Sequence, residues 1–180
     1  MKWRLLLVLL MASLLLAPLV ACGSTQRLAV PVTERLAPAG LFRLPALKDE
    51  KFIILTIDDS PSSRTRELVA LLEKYDAKAT FFVHTGQITD KNLDALQMAV
   101  IAGHELGNHL PKDAPAWKMG REEFETAFIE SHQDLQKYGD GARRYFRPPH
   151  GFYRPRHMDQ VMKEAGYDSP LSPVVSDRRY

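Results

Sequence analysis

The 180-residue chain is 45% hydrophobic and 26% charged, a balance that suits one globular domain and excludes disordered and collagen-like chains. Its formal net charge of +2 includes Lys2 and Arg4 of an N-terminal segment expected to be removed, so the remainder is neutral and carries no nucleic-acid footprint. One cysteine and 6 histidines exclude a disulfide framework and Cys-rich zinc modules, so any metal must be held by His, Asp or Glu.

Lys2 and Arg4 precede an apolar run at 5–16, shorter than the roughly 20 residues that span a bilayer, and the pattern reads as an export signal. Leu19-Val20-Ala21-Cys22 resembles the lipobox of bacterial lipoproteins. Residues 1–21 are thus expected to be a lipoprotein signal peptide, with Cys22 lipidated as the first mature residue; a plain secretory signal with an incidental cysteine is the alternative. Acyl chains on Cys22 would hold the chain at a membrane surface, each buried CH₂ contributing about 0.8 kcal/mol. Gly23 in place of an aspartate leans, by resemblance to enterobacterial sorting, toward the outer membrane. The expected location is the cell envelope, at the outer membrane or the periplasmic face. Residues 22–50 carry Pro31, Pro38 and Pro45 without periodicity and read as a tether.

The apolar, β-branched run at 52–57 predicts a strand buried on both faces, stopped by Asp58-Asp59-Ser60-Pro61. Ser62 or Ser63 can cap a helix through Leu68, Val69, Leu71 and Leu72 to Tyr75. A strand follows at 79–83. Asp90 caps a helix through Leu93, Leu96, Val100 and Ile101 that Gly103 ends. Residues 104–108 predict a third strand, 121–138 an amphipathic helix with Phe124, Phe128 and Leu135 on one side, Tyr145-Phe146 a fourth strand seed, and 156–165 a helix closed by Gly166. This alternation argues for an α/β fold of parallel β/α units, whose ligand site lies beyond the carboxyl ends of the strands. Asp58 and Asp59, His84, Asn108 and His109, and Arg147 stand at those four ends.

Three segments carry a family resemblance. Thr56-Ile57-Asp58-Asp59-Ser60-Pro61, Gly103-His104-Glu105-Leu106-Gly107-Asn108-His109 and Phe146-Arg147-Pro148-Pro149-His150-Gly151 resemble, in order and spacing, three motifs of the polysaccharide deacetylases, the NodB-like enzymes of carbohydrate esterase family 4. The resemblance implies an incomplete (β/α) barrel over residues 51–168 and metal-dependent removal of N-acetyl groups from N-acetylglucosamine polymers such as peptidoglycan or chitin-like glycans. It assigns Asp59 and His109 to the metal and Asp58 to proton abstraction from water. Two adjacent carboxylates resist ionising together unless they share a cation, which fits these roles. The third ligand position, usually histidine, is Asp113. An Asp59, His109, Asp113 set could bind zinc, with manganese or cobalt as alternatives. Arg147 would pair with Asp58 and aim it. The backbone N–H of His150, where the family has tyrosine, would be the oxyanion donor. Trp117, Pro149 and Tyr153 are the candidate substrate contacts.

The remaining histidines have plainer readings: His104 as a packed strand-start residue, His84 as a polar strand end, His132 and His157 as surface residues. His104-Glu105…His109 looks like a metalloprotease pair, but a spacing of five separates the rings by about 140° on a helix, so that reading fails. Beyond Tyr167 the sequence departs from the family pattern: Pro170 and Pro173 fall where a strand is expected, and the aspartate, tryptophan and general-acid histidine of later motifs are not seen. Residues 169–180 are an atypical tail, and the expectation is a short form of impaired activity. A non-catalytic glycan-binding lipoprotein is the rival reading. No protein partner is inferred.

Overall fold

A computed structural model describes residues 53–152 and 154–167; the expected signal segment, Cys22, the tether, Tyr153 and the tail lie outside the described residues. Strands β1 (Leu55–Ser60), β2 (Ala79–Val83), β3 (Glu105–Asn108) and β4 (Ala142–Phe146) form one sheet in chain order, every neighbouring pair parallel. Helices α1 (Thr65–Lys74), α2 (Leu93–Ile101) and α3 (Arg121–Gln136) make the crossovers, and α4 (Pro155–Glu164) follows β4. Parallel strands in chain order, each followed by a helix, are the repeating unit of a (β/α) barrel, so the α/β expectation holds and the described part is an open segment of such a barrel. Among the described residues no helix is long and apolar enough to cross a membrane.

β2 is buried at all five positions, as its Ala-Thr-Phe-Phe-Val sequence between two parallel neighbours requires. Phe81 and Val83 join Val69 of α1, Leu96 and Ala99 of α2, Leu106 of β3 and Leu135 of α3 in one core cluster. A second cluster ties α3 to β4 and α4 through Phe124, Phe128, Phe146, Met158, Val161 and Met162. Each such side chain contributes on the order of 1.5–3 kcal/mol on burial. The opposite face of β2 presents Phe82 to Gly107 of β3. A Cβ on residue 107 would stand 2.7 Å from Phe82 Cε1, so glycine is what lets the ring lie there.

Among the boundaries that differ from the sequence expectation, three element starts have a local cause. β1 starts at Leu55 and continues through both aspartates, and only Ser60 in it is buried. Its single ladder partner among the described residues is β2, so it is not covered on both sides. α1 starts at Thr65 because Ser62 forms a preceding turn instead: Ser62 N donates to Thr65 Oγ1 (2.8 Å) and Arg64 N to Ser62 Oγ (3.2 Å). α2 starts at Leu93, where Asn92 rather than Asp90 organises the entry by accepting from Thr89 N at 2.7 Å.

Candidate active site

The ladder of β1 against β2 slips at the acidic pair. Ile57 faces Phe81 and Ser60 faces Val83, so three steps on β1 oppose two on β2. The extra residue is a bulge, which breaks the alternation that would send Asp58 and Asp59 to opposite faces. Asp59 takes φ 55°, a left-handed backbone. Of four non-glycine residues with positive φ among the described residues, three (Asp59, Leu110 and His150) lie at the carboxyl ends of the strands or on the loops beyond them. Such conformations gather where function over-determines the backbone.

Beyond the strands the ladder adds one rung at each site residue: His84 N donates to Ser60 O (2.8 Å), His109 N to Val83 O (3.1 Å) and Arg147 N to Asn108 O (3.0 Å). Because β2 lies between β1 and β3, His84 falls between Asp59 and His109. His84 Nε2 is 3.0 Å and His109 Nε2 3.6 Å from Asp59 Oδ1, and the two rings are 4.4 Å apart. Ligands of one tetrahedral ion at about 2.1 Å stand roughly 3.4 Å from each other, and these distances bracket that value. Both imidazoles are buried. His84 Nδ1 faces Leu110 O at 3.2 Å, and His109 Nδ1 faces Arg147 O at 2.6 Å. A carbonyl only accepts, so each Nδ1 is the donor there, which leaves Nε2 as the ring atom turned toward the Asp59 carboxylate. Burial, with His84 pushing the same way, holds the His109 imidazole below the ordinary histidine range against the raising pull of the Arg147 carbonyl. Two imidazole Nε2 atoms and a carboxylate oxygen thus converge within 4.8 Å of one another, a set of ligand atoms that fits a divalent cation.

Beside this trio, Arg147 Nη1 donates to Asp58 Oδ1 at 2.6 Å and to Thr56 Oγ1 at 2.9 Å. The guanidinium is buried, and its carbon lies 4.2 Å from the Phe82 ring centroid. Asp58 is therefore fixed from one side by an arginine that the sheet itself holds.

Asp113, expected from the resemblance to be the third ligand, stands apart from the trio and pairs with His150 instead, Oδ1 to Nε2 3.2 Å. The position four residues past His109 lies on a loop interrupted by Pro111 and Pro115 that carries the carboxylate across to the turn Pro149–Gly151. His84, read from the sequence as a polar strand end, does stand at the end of β2, and the order β1-β2-β3 brings it between Asp59 and His109. Pro149, expected to face a sugar, is buried. Trp117 lies at the rim, edge-on to His150 (5.6 Å) and to exposed Phe152 (5.9 Å), an aromatic that the sequence reading did not single out. His104 is packed as expected, accepting from Ala79 N at 3.2 Å. His132 is not a plain surface residue: it is half-buried, with Nδ1 3.0 Å from Tyr167 Oη. The side chain of His157 lies outside what is described.

A peptidoglycan-N-acetylglucosamine deacetylase of Bacillus cereus is 30% identical over 139 residues, 77% of this chain and 64% of that protein. Among solved structures, a family 4 acetyl xylan esterase from Clostridium thermocellum in complex with a cobalt ion is 29% identical with a TM-score of 0.55, covering 61% of this chain and 54% of that one. A mutant, with restored enzymatic activity, of a carbohydrate esterase family 4 pseudoenzyme from Bacillus anthracis is 26% identical with a TM-score of 0.63, covering 77% and 49%. The chain thus spans less than two thirds of the length of each of these relatives. The profile of the family described as polysaccharide deacetylase matches residues 47–170, which include every element from β1 to α4 and every site residue placed above. With well over half its length matched, the chain belongs to the polysaccharide deacetylase family, the hydrolases of carbohydrate esterase family 4.

Proposed function

We propose that this chain hydrolyses N-acetyl groups of N-acetylglucosamine-containing polysaccharide, peptidoglycan or a chitin-like glycan, while tethered to the cell envelope through lipid on Cys22. The observation that carries the catalytic part is the convergence of Asp59, His84 and His109 beside the Asp58–Arg147 pair. Asp59, His84 and His109 would hold the cation, and His84 replaces Asp113 in that role. Two imidazoles and one carboxylate are a softer set than the two carboxylates and one imidazole the resemblance implied, which favours zinc over manganese, with cobalt an alternative. When bound, the cation supplies Lewis acidity at the acetyl carbonyl.

The remaining work belongs to the chain. Asp58, aimed by Arg147, accepts the proton of the attacking water. Arg147 can hold this geometry because Phe82 and Thr56 fix its guanidinium before substrate arrives. The N–H of His150, on its left-handed turn, meets the oxygen on which charge develops. Trp117 and exposed Phe152 offer apolar faces to a sugar ring.

Zinc-loaded chain incubated with N-acetylglucosamine oligomers should release acetate, and Asp58→Asn should lower the rate by about 100-fold or more with zinc content unchanged. A second reading, a non-catalytic glycan-binding protein, draws on the likeness to a pseudoenzyme. It predicts glycan binding without acetate, equal in the unaltered chain and Asp58→Asn.

A further inference from the structure

Each buried imidazole of the trio is aimed by a carbonyl, and neither carbonyl belongs to a strand or helix. Leu110 O faces His84 Nδ1 at 3.2 Å, and Arg147 O faces His109 Nδ1 at 2.6 Å. Whatever fixes those two carbonyls also fixes which ring atom is turned toward Asp59. We propose that the carboxamide of Asn108 is the positioning group for His84: it holds Leu110 in the backbone conformation that aims the Leu110 carbonyl at the ring. The proposal rests on the reading of Asp59, His84 and His109 as the cation site.

Asn108 closes β3 and is wholly buried. Its Oδ1 accepts from Leu110 N at 2.8 Å, an Asx turn, and its Nδ2 donates to Phe128 O within α3 at 3.2 Å. One side-chain amide thus ties the loop beyond β3 to a helix of the core. Leu110 needs such a tie. It takes φ 61°, a left-handed backbone that few non-glycine residues adopt. Pro111 follows it, and a residue before proline prefers extended backbone at negative φ. The Leu110 side chain is wholly buried in the cluster of Phe124 and Phe128. With the side chain packed and the N–H held by Asn108, the peptide is fixed with its carbonyl toward His84. The next carbonyl, Pro111 O, accepts from Gly86 N at 3.0 Å and binds the same loop to the segment just past His84.

His109 is served differently. Arg147 N donates to the main-chain oxygen of Asn108 at 3.0 Å, and Arg147 O then faces His109 Nδ1. A substitution at position 108 leaves that main-chain bond available. Its effect should therefore fall on His84 and spare His109, a selectivity that a merely stabilising asparagine would not produce.

The test compares two substitutions of nearly equal size. Asn108→Ala removes both side-chain bonds; Asn108→Ser removes the one to Phe128 but keeps an oxygen able to accept from the N–H two residues on. Urea midpoints of the two variants should fall alike. Zinc affinity of the full chain, read by competition with a chelating dye, should fall about tenfold or more in Asn108→Ala and less than about threefold in Asn108→Ser. In proton NMR spectra of the metal-free chain, the His84 Nδ1–H should be protected in the unaltered chain and in Asn108→Ser and lost to exchange in Asn108→Ala. The His109 Nδ1–H should persist in all three. Equal loss of zinc affinity in the two variants, an unchanged affinity in Asn108→Ala, or joint loss of both N–H signals would each overturn the proposal. Should Asn108→Ala not fold, the remaining two chains decide, and an unprotected His84 N–H in either overturns it. An unaltered chain that shows the protected His84 N–H yet binds no zinc would overturn the cation reading and leave the positioning role standing.

Discussion

His104, just ahead of β3, and His84 and His109, just past the carboxyl ends of β2 and β3, are all buried, yet their rings are wired in opposite senses. His104 Nδ1 accepts from the Ala79 N–H that opens β2. His84 and His109 each give their Nδ1 proton to a carbonyl beyond the strand ends. A parallel sheet exposes N–H groups where its strands begin and carbonyls where they finish, so the same side chain is driven into opposite tautomers at the two ends. At the amino end the proton goes to Nε2, which has no hydrogen-bond partner among the described residues. At the carboxyl end Nδ1 is the donor and Nε2 is left facing Asp59. Backbone polarity thus decides which buried histidine can serve as a ligand.

The most damaging way to probe this contrast is at the carboxyl end. His84→Ala removes one of three donors and should weaken zinc binding by about 100-fold or more in a competition titration. Unchanged zinc affinity there would remove His84 from the ligand set. Gly107→Ala attacks the support beneath: its Cβ would press on Phe82 Cε1 from 2.7 Å, and Phe82 carries the Arg147 guanidinium. The expected cost is about 1–3 kcal/mol, read as a lower urea midpoint, together with slower acetate release.

The smallest effect belongs to the amino end. Burial, and then the neighbouring Lys78 charge, hold the His104 imidazole below its ordinary range. Its contribution to stability is complete above the unfolded value near 6.5 and is lost as pH falls below that toward the folded value, because the unfolded chain takes up the proton first. The urea midpoint should therefore decline between pH 7 and pH 5, with one histidine contributing a slope of at most about 1.4 kcal/mol per pH unit. His104→Gln should flatten that slope and leave zinc affinity at pH 7.5 unchanged. A loss of zinc affinity in this variant would show that the two ends are not independent.

The alternation of elements was readable because Phe81, Leu96, Phe124 and Phe128 recur at the periods their elements impose, and the strand-end residues were readable because turns stop each apolar run. Which side chains meet beyond those ends was not. Asp113 has the spacing the family resemblance asks for, but spacing along a loop with Pro111 and Pro115 does not fix where a carboxylate ends up, and it ends beside His150. His84 becomes a ligand candidate only once β2 is known to pair with both β1 and β3, a fact about sheet order that no local pattern encodes. The over-reading of β1 has the same origin, since its apolar run says nothing about how many neighbours it acquires. Ser62 misled for a local reason: its hydroxyl serves a turn in place of the helix entry.

Asp59 is the solvent-side member of its trio, its side chain 69% exposed against 0% and 4% for the two imidazoles. Were a cation held there, the two buried imidazoles would form the inner wall of its socket and Asp59 the solvent-facing one, so a chelator arriving from water would meet the carboxylate first.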